Sequence, residues 1–393
     1  MIPNPALGVV FHWLGGLASG SFYVPYRVVK RWSWETYWLV GGLFSWIIAP
    51  WIIGFLLTKN LASVLSAVPA KNLFWCYFFG LLWGVGGLTF GLTMRYLGLS
   101  LGMAIVLGLC ATFGTLMPPI FSGEFVSHIL HTSSGQVILA GIGVCLLGIA
   151  IVGLAGIYKE RAMPPEAQKQ VIKEFDLRKG LLVATLSGVM SACFAYGLAA
   201  GDPIRSLTLR AGTPPLWQGL PVLVVILIGG FTTNFIWTVL LNIRNRTGHE
   251  YLSSEIPAPP SDLHAPQPIE ETALSGPATS VLTHTPAALI RETVHVPLLR
   301  NYFLCALAGV TWYMQFFFYT MGETQMGRFK FSSWTIHMAS IIIFSSLWGI
   351  GLKEWKGAGR PAIRLLGLGL AVLIGSTIVV GYGNYLATVS TPH

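Results

Sequence analysis

Residues 311–319 read TWYMQFFFY, a single amide set among aromatic and apolar side chains. At helical spacing Trp312, Gln315, Phe316 and Tyr319 share one face. That face offers an indole, an amide that both donates and accepts, and a phenol. Aromatic faces stack on the C–H side of a sugar ring while polar groups bond its hydroxyls, so the set suits a polyhydroxylated small molecule. The competing reading is a packing face whose Gln315 bonds a neighbouring helix. His12 and His337 also fall inside apolar runs. Each reads either as a packing residue or as a group for substrate contact or proton transfer, since imidazole titrates near neutral pH.

A charge inside a membrane is expensive and is by default a functional candidate. Of the 15 acids, Glu35, Asp202 and Glu323 lie at or near the ends of apolar runs. Glu323 follows Tyr319 by four residues, on the same face, and is a candidate proton carrier or an exposed helix-end acid. Glu35 follows Ser33 at the start of a run. It reads as a first-turn acid beside a capping serine, or as a second proton-coupling residue. Asp202 precedes Pro203 and reads as a loop or cap residue. Arg95 ends a run and reads as snorkelling to the interface. The candidate substrate residues are Trp83, Trp312, Gln315, Tyr319, Tyr23, His12 and His337, and the candidate proton-coupling residues are Glu323, His337 and Glu35.

The sequence offers no nucleophile–base set, phosphate loop or metal constellation, so an enzyme such as a polytopic transferase would lack its machinery. GVGGLTFG, residues 84–91, lies inside an apolar run and reads as a helix-packing surface. Each of the five cysteines falls in an apolar run without metal-ligand spacing. Neither metal nor cofactor is expected.

These residues need elements to hold them. The chain has 393 residues, 53% hydrophobic and only 10% charged, with a mean hydropathy of +0.65. Soluble domains carry roughly 25% charged residues, so lipid must be the solvent for most of this surface. Ten runs are long enough to cross a bilayer: 5–26, 34–57, 73–94, 98–121, 135–157, 180–200, 216–242, 299–322, 331–352 and 363–386. The alternation of a membrane barrel is absent. The expected class is all-α and polytopic. The net charge of +9 does not indicate nucleic acid, because the basic residues cluster between apolar runs. Eighteen Lys and Arg residues fall in the odd-numbered loops and six in the even-numbered ones. The odd loops should be cytoplasmic and both termini outside. The first basic residue is Arg27, so the first run is expected to be a retained span.

Residues 158–179 form a charged cytoplasmic linker between five spans (1–157) and five more (180–393). Residues 243–297 are rich in Pro, Ser, Ala and Glu and are expected to be a disordered cytoplasmic loop. The halves carry weak internal matches. Gly80, Trp83 and Phe90 precede Gly309, Trp312 and Tyr319 by 229 residues, and GLASGSF (16–22) precedes GVMSACF (188–194) by 172. HMA (337–339) echoes GMA (102–104). The order 1/6, 3/8, 4/9 fits a duplication, and five spans per half makes the second copy inverted, with a substrate site near the midplane. Trp83 and Phe90 would then form the face corresponding to Trp312 and Tyr319.

WSWETYW (32–38), WGVGGLTFGLTMRYLGLSLGMAI (83–105), GTLMPPI (114–120), YKER (158–161), EFDLRKG (174–180), WYMQFFFY (312–319) and GLKEWKGAGR (351–360) resemble the bacterial L-rhamnose/proton symporter family of the drug/metabolite transporter superfamily. The resemblance extends from about His12 to Ile378. It implies ten spans and proton-coupled uptake of L-rhamnose or a close relative, with a monosaccharide, a proton and the bilayer as partners and no obligate protein partner. An exporter of the same superfamily is the alternative. The 243–297 segment is longer than the family pattern.

Overall fold

The computed structural model describes residues 2–162, 176–257 and 293–389. Ten helical segments among them are long and apolar enough to cross a membrane. They are, as spans 1 to 10, Pro5–Tyr26, Trp34–Leu57, Ala70–Leu97, Ser100–Phe121, Ser133–Arg161, Leu177–Arg210, Pro215–Asn245, Leu298–Gln325, Gly327–Gly351 and Gly359–Val389. The apolar runs locate every one of them, but the helices outrun the apolar stretches because interfacial polar residues continue the turns. Asn4 caps span 1 by accepting from the Leu7 amide, and Asp176 caps span 6 through Lys179.

Spans 1, 2 and 6 are interrupted. Span 1 is broken at Phe22, between helices Pro5–Ser21 and Tyr23–Tyr26. Span 2 widens into a π-helix over Leu43–Ile48, just before Pro50. Proline lacks the amide that would close the preceding turn, and such wide turns re-aim side chains, here Ser45 and Trp46. Span 6 breaks at Gly201 and resumes as the short helix Asp202–Arg210.

Span 3 packs along spans 6 and 7, and span 8 along spans 1 and 2. Span 6 also packs on span 4, span 1 on span 9, and spans 5 and 10 on each other. Each of these contacts has a counterpart five spans away. Glycine permits two of them: a Cβ on Gly80 would strike the Ile226 carbonyl of span 7, and one on Gly309 the Gly41 carbonyl of span 2.

Residues 163–175 of the expected linker and 258–292 of the expected disordered loop lie outside the described residues. The described edges of the latter carry regular structure. Span 7 runs to Asn245 and a 3₁₀ turn spans Gly248–Tyr251. Strand β1 (Glu255–Pro257) then pairs antiparallel with β2 (Thr293–His295), with Ile256 opposite Val294. This small ladder is a local addition to an otherwise helical fold. Val296 anchors it in a buried cluster with Phe22, Tyr26, Trp32, Cys305 and Ala308, and Tyr302 Oη donates to the Tyr251 carbonyl at 2.7 Å.

Candidate functional site

Span 8 carries three successive environments along its length. The first is aromatic. Trp312 meets Phe22 of span 1 with ring centroids 4.2 Å apart. Trp38 and Trp46 of span 2 close the same chamber, and Trp38 Nε1 donates to Asn234 Oδ1 at 3.2 Å. Trp46 leads on to Trp83, whose ring lies 5.0 Å from Phe194 and 5.5 Å from Phe316. Phe194 stacks on Phe316 at 4.4 Å and on Trp334 at 5.8 Å. The chamber between Trp38, Trp46 and Trp312 encloses only about 10 Å³. A single water needs roughly 10–15 Å³, so the rings are shut on one another. Trp312 Nε1 and Trp46 Nε1 are buried without a hydrogen-bond partner.

The second environment is imidazole-rich. Tyr319 lies 5.2 Å, ring to ring, from both His12 and His337, which are 6.2 Å from each other. Trp334 completes the group at 5.8 Å from Tyr319, and its indole N–H donates to the Cys110 carbonyl at 3.0 Å. Span 1 reaches these groups through small residues. A Cβ on Gly15 would come within 2.9 Å of the Gln315 carbonyl, and Gly322 lies against the His12 ring. Ser340 Oγ donates to the His12 carbonyl at 2.9 Å and ties span 9 to span 1. Among the described residues, both nitrogens of His12, both of His337 and Nε2 of Gln315 are buried with no hydrogen-bond partner. Buried polar groups are nearly always paired, so five such atoms on neighbouring helices need an explanation.

The third environment is ionic. At the end where spans 6 and 8 finish, Arg205 Nη2 donates to Glu323 Oε2 at 2.6 Å and Nη1 to Asp202 Oδ1 at 2.6 Å. Nη1 also reaches the Leu198 carbonyl at 3.0 Å. Lys330 Nζ bridges both Asp202 oxygens at 2.8 and 2.7 Å. The side chains of Arg205 and Glu323 are 8% and 11% exposed, so this pair is shielded from screening by solvent. The four charges alternate and cancel. They line a cavity of about 310 Å³ together with Ser206, Gln218, Gly219, Thr320 and Thr324. Ligand pockets begin at roughly 300 Å³.

The structure places Trp83, Trp312, Gln315, Tyr319, His12, His337 and Glu323 on span 8 and the helices packed around it, though of these only Glu323 lines the charged cavity. Tyr23 is half-exposed and stacks towards Phe22 and Trp38, away from the histidines. Phe90 does not extend the Trp83 face: it packs with Leu97, Val106 and Ala184. Glu35 is remote from the charged cavity of Asp202, Arg205 and Glu323. Its Oε1 accepts from Asn245 Nδ2 and Thr247 Oγ1, each at 2.9 Å, and so fastens the end of span 7 to the start of span 2. Ser33 makes no side-chain cap; its amide and Oγ both donate to Glu250 Oε2 instead. Arg205 and Lys330 read in the sequence as loop cations, and Asp202 as a loop or cap acid. The available signal was the i,i+3 spacing of Asp202 and Arg205 just after a helix break. Among the described residues no group of three or more His, Cys, Asp or Glu is placed to hold a metal ion, and the five cysteines are free.

The family model described as L-rhamnose-proton symport protein (RhaT) matches residues 1–251 and 290–386. The L-rhamnose-proton symporters of Klebsiella pneumoniae (strain 342), Salmonella paratyphi B (strain ATCC BAA-1250 / SPB7) and Salmonella newport (strain SL254) are each 35% identical to it over 380 residues, 96% of this chain and 97% of theirs. The chain belongs to the L-rhamnose-proton symport family.

Proposed function

We propose that this multi-pass membrane protein takes up L-rhamnose or a closely related monosaccharide together with a proton, by alternating access between two inverted five-helix repeats. The observation that carries the reading is the face of span 8 on which Trp312, Phe316, Tyr319 and Glu323 succeed one another. It runs from closed aromatic rings, past imidazoles with unpaired nitrogens, to a polar cavity lined by charge. A sugar is the ligand that uses all three: C–H faces for the indoles, hydroxyls for the orphan nitrogens, and a polar vestibule for entry. Family membership narrows the sugar to L-rhamnose and its relatives.

The matched packing of spans 3/6 with 8/1, 3/7 with 8/2, and 4/6 with 9/1 supports the inverted repeat. The excess of Lys and Arg in the odd loops supports an inner-membrane orientation with both termini outside. In that orientation the ionic cavity faces out, and the cluster of Phe22, Tyr26, Trp32 and Val296 seals the cytoplasmic side. The bilayer is the protein's solvent, and transport needs no obligate protein partner. Coupling requires that the proton bind the two access states with different affinity, because a ligand indifferent to state shifts nothing. Glu323, at the border of the cavity, is the carrier this geometry favours, with His12 and His337 as sugar contacts.

Reconstituted vesicles test the reading. With the lumen made alkaline, labelled L-rhamnose should accumulate above its equilibrium level, and collapsing the gradient should release it. Uptake that only equilibrates, or is indifferent to the gradient, refutes proton symport.

A further inference from the structure

The ionic network does more than close one end of the molecule. Glu323 and Asp202 are not equivalent within it. Asp202 is held by two cations, Arg205 and Lys330, whereas Glu323 accepts from Arg205 alone. The two terminal nitrogens of Arg205 divide accordingly: Nη1 serves Asp202 and the Leu198 carbonyl, and Nη2 serves Glu323. The charged and titratable groups around Glu323 are Arg205 and Asp202 from the short helix, Lys330 from the turn opening span 9, Tyr319 one turn earlier on its own helix, and His12 of span 1 across Gly322.

Neutralising Glu323 with a proton leaves Asp202 fully paired and strips Nη2 of its charged acceptor. The neutral acid still offers a carbonyl oxygen but no longer a charge-assisted bond, so Nη2 gains by taking a further acceptor. The nearest free volume is the cavity of about 310 Å³ that Arg205 itself lines. Nη2 carries two N–H donors that two adjacent oxygens can accept together, and vicinal hydroxyls supply such a pair. Thr320, Thr324, Ser206 and Gln218 line the same cavity and offer further polar partners. We infer that Arg205 is a sugar-binding residue, held by Glu323 until that carboxylate takes up the transported proton, and then released to donate to vicinal hydroxyls. Ionised Glu323 and the sugar compete for one donor. Proton and sugar therefore favour each other's binding, by the same factor in each direction.

The inference rests on the proposed sugar/proton symport, and binding of L-rhamnose to the purified full-length protein by calorimetry at about pH 6 and pH 8 separates the two. Wild type should bind more weakly at high pH, by up to about tenfold per unit once the carboxylate is mostly ionised, because only the protonated fraction is competent. Glu323→Gln, a neutral acceptor that leaves the guanidinium available, should keep binding and lose the pH dependence. Arg205→Gln alone would leave a buried carboxylate unpaired and endanger folding, so the informative variant is Arg205→Gln/Glu323→Gln, which removes both charges. With its melting temperature near that of Glu323→Gln, it should bind L-rhamnose about tenfold more weakly or worse. A double variant that binds as well as Glu323→Gln overturns the role of Arg205, as does a Glu323→Gln protein that keeps the wild-type pH slope. Should the double variant not fold, that slope alone decides. Wild type that binds without pH dependence sinks the inference by itself. Wild type that binds no L-rhamnose at either pH sinks the symport reading, and the inference with it.

Discussion

The ring of Phe22 meets the indole of Trp312 at 4.2 Å between centroids, with the planes 71° apart. Phe194 meets Trp83 at 5.0 Å and 64°. The first pair joins span 1 to span 8, and the second joins span 6 to span 3. In sequence Phe194 follows Phe22 by 172 residues, and Trp312 follows Trp83 by 229. Two matches that were weak as text are thus equivalent contacts in space. Each half contributes one indole and one phenyl ring to these two pairs, and the chamber beside Trp312 is filled by its own side chains. A sugar that reaches the indole faces must part these rings.

The two indoles should therefore matter more for ligand than for fold. Aromatic pairs contribute about 0.5–1.5 kcal/mol beyond area burial, which a ten-span protein tolerates. Trp312→Leu and Trp83→Leu should each weaken L-rhamnose binding by about tenfold, roughly 1.4 kcal/mol. Thermal stabilisation of the purified variants by L-rhamnose reads this directly. Wild-type stabilisation in both variants would remove the chamber from the substrate route.

Binding and stability should move in opposite directions at the histidines. His12 and His337 bury four ring nitrogens without partners. A buried group left unsatisfied costs roughly 1–3 kcal/mol. His12→Leu and His337→Leu remove that cost and keep an apolar body, so the ligand-free melting temperature should hold or rise while L-rhamnose affinity falls. A melting temperature that drops with affinity unchanged would mark the pair as packing residues only.

Glu35 should behave as a fastener. Its carboxylate satisfies Asn245 and Thr247 across the junction of spans 2 and 7. Hydrogen bonds to a charged acceptor are worth roughly 1.5–3 kcal/mol, and Glu35→Ala should lower stability by about that much. The pH dependence of L-rhamnose binding should survive intact in the variant. Its disappearance would return Glu35 to the proton path.

The spans were legible because apolar length is a local property: the run at 73–94 locates a helix that extends over Ala70–Leu97. The face of span 8 was legible for the same reason, since helical spacing alone aligns Trp312, Phe316, Tyr319 and Glu323. Partners across the fold were not. Arg205 follows Gly201, Asp202 and Pro203, a stretch that reads as a turn, and nothing local reveals that span 8 brings Glu323 to it and buries both. Phe90 lies two turns beyond Trp83. By that point span 3 has left the glycines of span 7 and meets Val106 and Ala184 of spans 4 and 6. Glu35 finds its donors more than 200 residues away.

The proposed correspondence of the halves has its own mechanical test. Gly80 and Gly309, 229 residues apart, each press against a backbone carbonyl of the opposite half, Ile226 in span 7 and Gly41 in span 2. A carbonyl in a helix cannot rotate away as a side chain can, so an added methyl must push the helices apart. Overpacking of this kind costs about 1–3 kcal/mol. Gly108 and Gly143 also lie within spans, but a Cβ on either would meet nothing within 4 Å, and alanine there should gain about 0.5–1 kcal/mol of helix stability. Gly80→Ala and Gly309→Ala should therefore lower the melting temperature by similar amounts, while Gly108→Ala and Gly143→Ala leave it unchanged or raise it. The two contacts share no partners, so their costs should add in the double variant. If Gly309→Ala proves as stable as Gly143→Ala, spans 2 and 8 are not in backbone contact, and the correspondence between spans 3/7 and 8/2 loses its physical basis.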